Sequence, residues 1–327
     1  MSAKIDQRLQ SETIPFQEIP IVDISTVVDG SDLHSVARQI GRSCEKVGFV
    51  YLKNHGVSKK LIGEMYDMSR QFFALPQHAK DAIHIARSGP TLRGYIPEYG
   101  ENVDPDNTRD YKEVFDYGKH ETEVSPFRGP NPMPECLPQA KVVFEQYHSE
   151  MVRLARKLIS VIALGLKLPA DYFDHKLNNP ISIQRVLHYP PQYGEITQEE
   201  IGAGAHTDYG FLTILAQDDI GGLQVQNSAG DWVSVPPIED TFVFNIGDFL
   251  ETFTNGRYRS TLHRVVNTAG RDRYSIAFFM DLDFDAVVEP VPTVRHSDGV
   301  DDYPAYVCGE HKYKRFLDSY EHLKELV

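Results

Sequence analysis

The sequence predicts a mainly β core, a double-stranded β-helix (jelly roll), with flanking N-terminal helices and a C-terminal helix. Three observations carry this expectation. Short β-rich runs recur between turn signals after Pro180, helical apolar spacing dominates before it, and no repeat or low-complexity linker breaks the 327 residues. A chain of this length can bury a large core without a disulfide or a structural metal.

In chain order, residues 20–24 and 49–53 read as short strands. Val36, Ile40, Cys44 and Val47 fall on one helical face, as do Leu61, Met65, Met68 and Phe72. Residues 87–134 are rich in Gly, Pro and Asp and read as loop-dominated. A long helix is expected over 138–168, limited by Pro138 and Pro169, with Val143, Tyr147, Met151, Leu154, Leu158 and Val161 as its apolar stripe. Strand runs follow at 182–189, 211–217, 222–226, 232–235, 241–245, 261–266 and 274–280. Turn signals at 219–222, 227–230 and 255–256 separate runs expected to pair as antiparallel neighbours. Phe316, Leu317, Tyr320 and Leu323 at helical spacing predict a closing helix over 312–326. The expected division is 18–135 as an N-terminal region, 136–179 as a bracing helix, 180–285 as the jelly-roll core and 286–327 as the C-terminal segment.

Composition excludes several function classes. The net charge is −14, from 33 Lys and Arg against 47 Asp and Glu, and no basic block stands out, so a phosphate-driven nucleic-acid binder is not expected. Three scattered cysteines without a CxxC pair fit a reducing, cytoplasmic setting. No apolar run approaches the roughly 20 residues that span a bilayer, and residues 1–20 lack an apolar leader core, so a soluble, unprocessed protein is expected.

The sharpest chemical feature is His206, Thr207, Asp208: on a strand, a period of two puts the imidazole and the carboxylate on one face. His263, in the run 260–266, is the candidate third ligand. Two histidines and one carboxylate on one face of an octahedron leave positions open, the arrangement of non-haem Fe(II) oxygenases. Arg273 and Ser275, two apart on the last strand, present a guanidinium fork and a hydroxyl on one face, a clamp for a carboxylate. His55, His148 and His188 are read as structural or surface residues. Gly202 and Gly204 do not complete a dinucleotide fingerprint.

Around these residues the chain resembles the Fe(II)/2-oxoglutarate-dependent dioxygenase superfamily, in its isopenicillin N synthase-like branch. The resemblance rests on 19–23 and on 48–57 with Asn54, His55 and Gly56. It continues through Arg93, Gly94 and Tyr95, then Lys112, Glu113 and Phe115, and through the core runs 187–191, 204–209, 221–225, 245–248 and 260–265. It implies iron held by His206, Asp208 and His263, 2-oxoglutarate held by Arg273 and Ser275 with Tyr189 assisting, and dioxygen as oxidant. The run around His206, and Arg185 with Val186 and Leu187, is similar also to the bacterial ethylene-forming enzyme, although Ser275 keeps the residue from which that enzyme departs.

The implied activity is oxidative decarboxylation of 2-oxoglutarate coupled to hydroxylation, desaturation or ring closure of a small organic molecule. Tyr95, Phe115, Arg185, Tyr209 and Phe279 are the expected pocket residues. Two other readings stand beside it: an Fe(II) oxidase that needs no 2-oxoglutarate, and a noncatalytic metal-binding jelly roll.

Overall fold

The computed structural model describes residues 4–11, 19–104, 106–193, 195–295 and 302–320. Asp32 starts helix α1 (Leu33–Lys46) by accepting the Ser35 N–H at 3.0 Å, satisfying a donor that every helix start leaves open. Val36, Ile40 and Cys44 of α1 are buried, as are Leu61, Met65 and Phe72 of α2 (Lys59–Phe73). The long helix α3 (Gln139–Gly165) follows Pro138 as expected. It buries Tyr147, Met151, Leu154, Leu158 and Val161 and packs on α1 and α2. Each large side chain so buried contributes about 1.5–3 kcal/mol, so this stripe decides where α3 sits.

The strands of the two larger sheets are β1 (Ile21–Asp23), β2 (Phe49–Lys53), β3 (Gly94–Ile96), β4 (Glu113–Gly118), β5 (Pro180–Tyr189) and β6 (Ala203–His206). They continue with β7 (Leu212–Gln217), β8 (Leu223–Gln226), β9 (Trp232–Ser234), β10 (Thr241–Ile246), β11 (His263–Val265) and β12 (Arg273–Asp283). One sheet has the order β1-β2-β10-β7-β12-β5-β4-β3 and the other β6-β11-β8-β9. From β5 onward the chain alternates between the two sheets, interrupted only by the β8–β9 hairpin, so the sheets face one another as a jelly roll. Helix α3 lies against β7 and β12 on the outside of the larger sheet.

Three expectations change. Runs 211–217 and 222–226 do not pair across the 219–222 turn; Gly221 (φ 78°) and Gly222 (φ 96°) redirect the chain from one sheet to the other. The 255–256 turn closes a short helix α4 (Asp248–Phe253) that follows β10. Residues 87–134 are not merely loop, because β3 and β4 extend the edge of the larger sheet beside β5. Helix α5 (Cys308–Ser319) packs back on β12, with Phe316 and the following Tyr320 buried; Leu323 lies outside the described residues.

Candidate active site

Strand pairing brings the two histidines together. In the β6–β11 ladder His206 is the register partner of His263, and their ring centroids lie 4.3 Å apart. Strand β6 ends at His206, so Asp208 is not the next residue of that strand face, as expected from the sequence, but part of the turn that follows. Its carbonyl accepts the Asp248 N–H at 2.8 Å, which fixes the turn. One ligand atom from each of His206, Asp208 and His263 falls within 4.8 Å of the other two.

The hydrogen bonds behind these atoms suit a metal. His206 Nδ1 lies 2.8 Å from the Gly204 carbonyl and His263 Nδ1 3.1 Å from the Thr261 carbonyl. A carbonyl only accepts, so each Nδ1 carries the proton and each Nε2 keeps a free lone pair. Asp208 Oδ2 accepts from Thr213 Oγ1 at 2.5 Å and Asn245 Nδ2 at 2.6 Å, while Oδ1 lies 3.8 Å from His263 Nε2. Burial, then the neighbouring His263, brings His206 down to about 4 and keeps it neutral. Burial opposes the Asp208 charge, but the two imidazoles and its two donors outweigh it and hold the carboxyl below its usual range.

The clamp lies in the same cavity, whose wall includes the three residues above together with Tyr189, Arg273 and Ser275. Arg273 is 0% exposed. Its Nε donates to the Gly221 carbonyl, Nη1 lies 3.4 Å from Ser275 Oγ and Nη2 3.4 Å from Gln217 Oε1, and the guanidinium sits 4.6 Å over the Tyr189 ring. No carboxylate among the described residues pairs with it. Nearby Asp218 spends its oxygens on the backbone N–H groups of Ile220 and Tyr274. A buried cation without a counterion is strongly unfavourable, so the chemistry of this pocket suits an anion.

On the other side of His206 and Asp208 a second lobe is lined by Glu101, Arg185, Tyr209, Phe279, Lys312 and Phe316. Arg185 reaches both lobes, yet its donors go to Glu101, Asp116 and Tyr320. Tyr95 and Phe115 are not wall residues: they are buried against Phe72, and Phe115 also against Phe144, as plain core. Phe316 was read from the sequence only as part of the closing helix's apolar face, and Glu101, Lys312, Thr213 and Asn245 were not singled out as site residues. Among the latter, only Asn245 carried a signal, as the first residue of one of the family-like runs. A separate concavity of about 1040 Å³ beside His55 and Tyr66 contains none of the triad.

Comparison with known proteins agrees with this geometry. Residues 180–282 match the 2OG-Fe(II) oxygenase superfamily, and residues 19–136 match the N-terminal region of non-haem dioxygenases described from morphine synthesis. A rice homoarginine-6-hydroxylase, 2-ODD-233 of Oryza sativa subsp. japonica, is 37% identical over 93% of this chain and 98% of its own. The chain belongs to the 2OG-Fe(II) oxygenase superfamily. Another relative of this oxygenase, a 1-aminocyclopropane-1-carboxylate oxidase of Dictyostelium mucoroides, is 32% identical over 85% of this chain and 86% of its own. Among solved structures, a full-length Neurospora crassa protein in complex with alpha-KG and thymine superposes with a TM-score of 0.82 at 28% identity, covering 94% of this chain and 99% of that one. The oxygenase therefore works with Fe(II), 2-oxoglutarate and dioxygen on a small molecule. No described helix is long and apolar enough to cross a membrane.

Proposed function

We propose that His206, Asp208 and His263 hold Fe(II), and that Arg273 and Ser275, over the Tyr189 ring, hold the far carboxylate of 2-oxoglutarate. The observation that carries this reading is the fully buried Arg273, which makes no ion pair with a carboxylate among the described residues, in the same cavity as the triad. The donor set fits the metal: two neutral imidazoles and one carboxylate supply three ligands and leave positions open. When bound, the iron supplies the oxidising chemistry in which 2-oxoglutarate gives succinate and carbon dioxide.

The chain's own residues do the rest. Thr213 and Asn245 aim Asp208, and the Gly204 and Thr261 carbonyls fix the two imidazole tautomers. Phe49 stands edge-on to His263, with ring centroids 5.4 Å apart, as part of the apolar shell that keeps bulk water away. The lobe between Glu101 and Phe316 seats the substrate and sets which carbon faces the metal. Relatives from rice, soybean and Arabidopsis are named homoarginine-6-hydroxylases, so guanidino amino acids head the list of substrates to try.

The test is oxygen uptake and succinate formation by anaerobically purified protein given Fe(II), 2-oxoglutarate and a panel of small metabolites. Uptake matched by succinate, lost in His206→Ala and rescued in Arg273→Ala only at far higher 2-oxoglutarate, is the expected outcome. Oxygen uptake that needs no 2-oxoglutarate would move Arg273 to another carboxylate, and tight metal binding without turnover would remove the catalytic reading.

A further inference from the structure

We propose that Glu101 reads the charge of the substrate: the lobe beside His206 takes a small molecule whose side chain bears a cationic nitrogen, ammonium or guanidinium, and seats that side-chain cation against the Glu101 carboxylate. This rests on the oxygenase reading above and names the substrate class of the same site.

Asp110, Lys112, Glu101, Arg185 and Asp116 form one chain of ion pairs, and none is more than 8% exposed. Lys112 Nζ lies 2.5 Å from Asp110 Oδ2 and 3.5 Å from Glu101 Oε2. Arg185 Nη1 donates to both Glu101 oxygens at 2.8 and 3.0 Å, while Nε and Nη2 reach the two Asp116 oxygens at 2.9 and 2.8 Å. Three carboxylates therefore share two cations. The other cation of the lobe, Lys312, is committed to Asp281 and adds nothing to the balance. A loaded metal centre adds nothing either, since iron and Arg273 together offset Asp208 and the dianionic cosubstrate.

Burial raises the Asp116 carboxyl above its usual range while Arg185 favours its charged form; with the three carboxylates ionised, the surplus negative charge has one outlet to the cavity. Asp110 and Asp116 are fully buried behind it, and the Asp116 oxygens already accept from Arg185 and Tyr320. Glu101 lines the lobe with His206 and Asp208. Burial raises Glu101, but Arg185 and Lys112 outweigh it and hold the carboxyl at about 2, so it stays ionised. A carboxylate has room for about four hydrogen bonds, and Glu101 retains acceptor capacity beyond Arg185 and Lys112. A cationic nitrogen placed there completes the pairing, with Val103, Ile183, Phe279 and Phe316 as apolar walls for the carbon chain behind it.

The experiment uses the whole enzyme loaded anaerobically with Fe(II) and 2-oxoglutarate, whose visible absorption band reports assembly of the centre. L-homoarginine and L-lysine are titrated against L-homocitrulline and L-norleucine, shape-mates that keep the α-ammonium and α-carboxylate but have a neutral side chain, reading the change in the band and then KM and kcat from succinate. The cations are expected to bind at least about 30-fold more tightly than their neutral mates, as for a buried charge pair. Glu101→Gln should erase that gap through KM while the band still forms. Equal binding of a neutral mate by the natural enzyme, silence of both cations at millimolar concentration, or an undiminished preference in Glu101→Gln would overturn the proposal. The first two outcomes do not depend on how the variant folds. Failure of the band to form in the natural enzyme would instead overturn the iron and 2-oxoglutarate assignment on which the proposal stands.

Discussion

Asp208, a ligand in the proposed iron site, shows how much of such a residue's placement is set by its neighbours. Two neutral donors, Thr213 and Asn245, occupy one oxygen and leave the other directed toward the histidines. Losing such support weakens a metal site by about 10- to 100-fold, so Asn245→Ala and Thr213→Val are each expected to raise the dissociation constant for Fe(II) by that factor. Anaerobic titration measures it, and unchanged affinity in both variants would mean that the turn alone positions Asp208. The backbone is just as constrained: a Cβ on Gly247 would overlap the Gly210 carbonyl and lie 2.8 Å from that of Asp208. Gly247→Ala must therefore shift the ligand turn, and it is expected to lower iron affinity together with thermal stability. The triad and clamp were legible in the sequence because their residue types are chemically distinctive at their spacing. Glu101 and Thr213 were not, because their meaning depends on partners 84 and 5 residues away that only the fold brings into contact.

At the scale of elements, what escaped the sequence was β4. Its EVFDYG run carries Glu113 and Asp116, acids that spoil a strand's apolar pattern, yet all six residues are buried. They can be buried because Lys80 and His188 meet Glu113, and Arg185 meets Asp116. Those counterions come from distant segments, and β3 is only three residues long, so neither strand had a readable period. Helix α5 was legible from its apolar spacing, but not its attachment to the pocket. Tyr320, just past its end, puts its hydroxyl 2.6 Å from Arg185 Nη2 and 3.2 Å from Asp116 Oδ2, and Ser319 meets the Tyr209 hydroxyl at 3.0 Å. Buried hydrogen bonds to charged groups are worth about 1.5–3 kcal/mol. Tyr320→Phe should cost that much in urea unfolding and, by loosening α5 over the substrate lobe, raise KM for substrate more than for 2-oxoglutarate. An unchanged unfolding midpoint would show that the aromatic ring alone anchors the segment.

For the whole molecule, the alternation of strands between two sheets puts His206, His263, Arg273 and Ser275 inside the roll, while α5 and the segment around Glu101 close the second lobe and other titratable groups lie buried in the packing. His148 on α3 is buried, with Nε2 3.0 Å from Ser182 Oγ, and burial, then Arg93, brings it down to about 4. His55 accepts the Val57 N–H, stacks on Phe242 at 4.0 Å, and is brought by burial to about 4. Both have folded-state values below the unfolded value of about 6.5, so the unfolded chain binds the proton first as pH falls. The stability they contribute is complete above about pH 6.5 and is lost as pH drops toward 4. Each adds a slope of up to about 1.4 kcal/mol per pH unit in that window, or about 2.7 for the pair. Unfolding free energy measured at intervals from pH 7 to 4.5 should therefore fall steeply in the natural protein. It should fall less steeply by one such increment in His148→Gln, whose amide can still reach Ser182. The difference between the two curves cancels the carboxylates and the metal-site histidines, so parallel curves would mean that His148 already carries its proton inside the fold or stays neutral in both states.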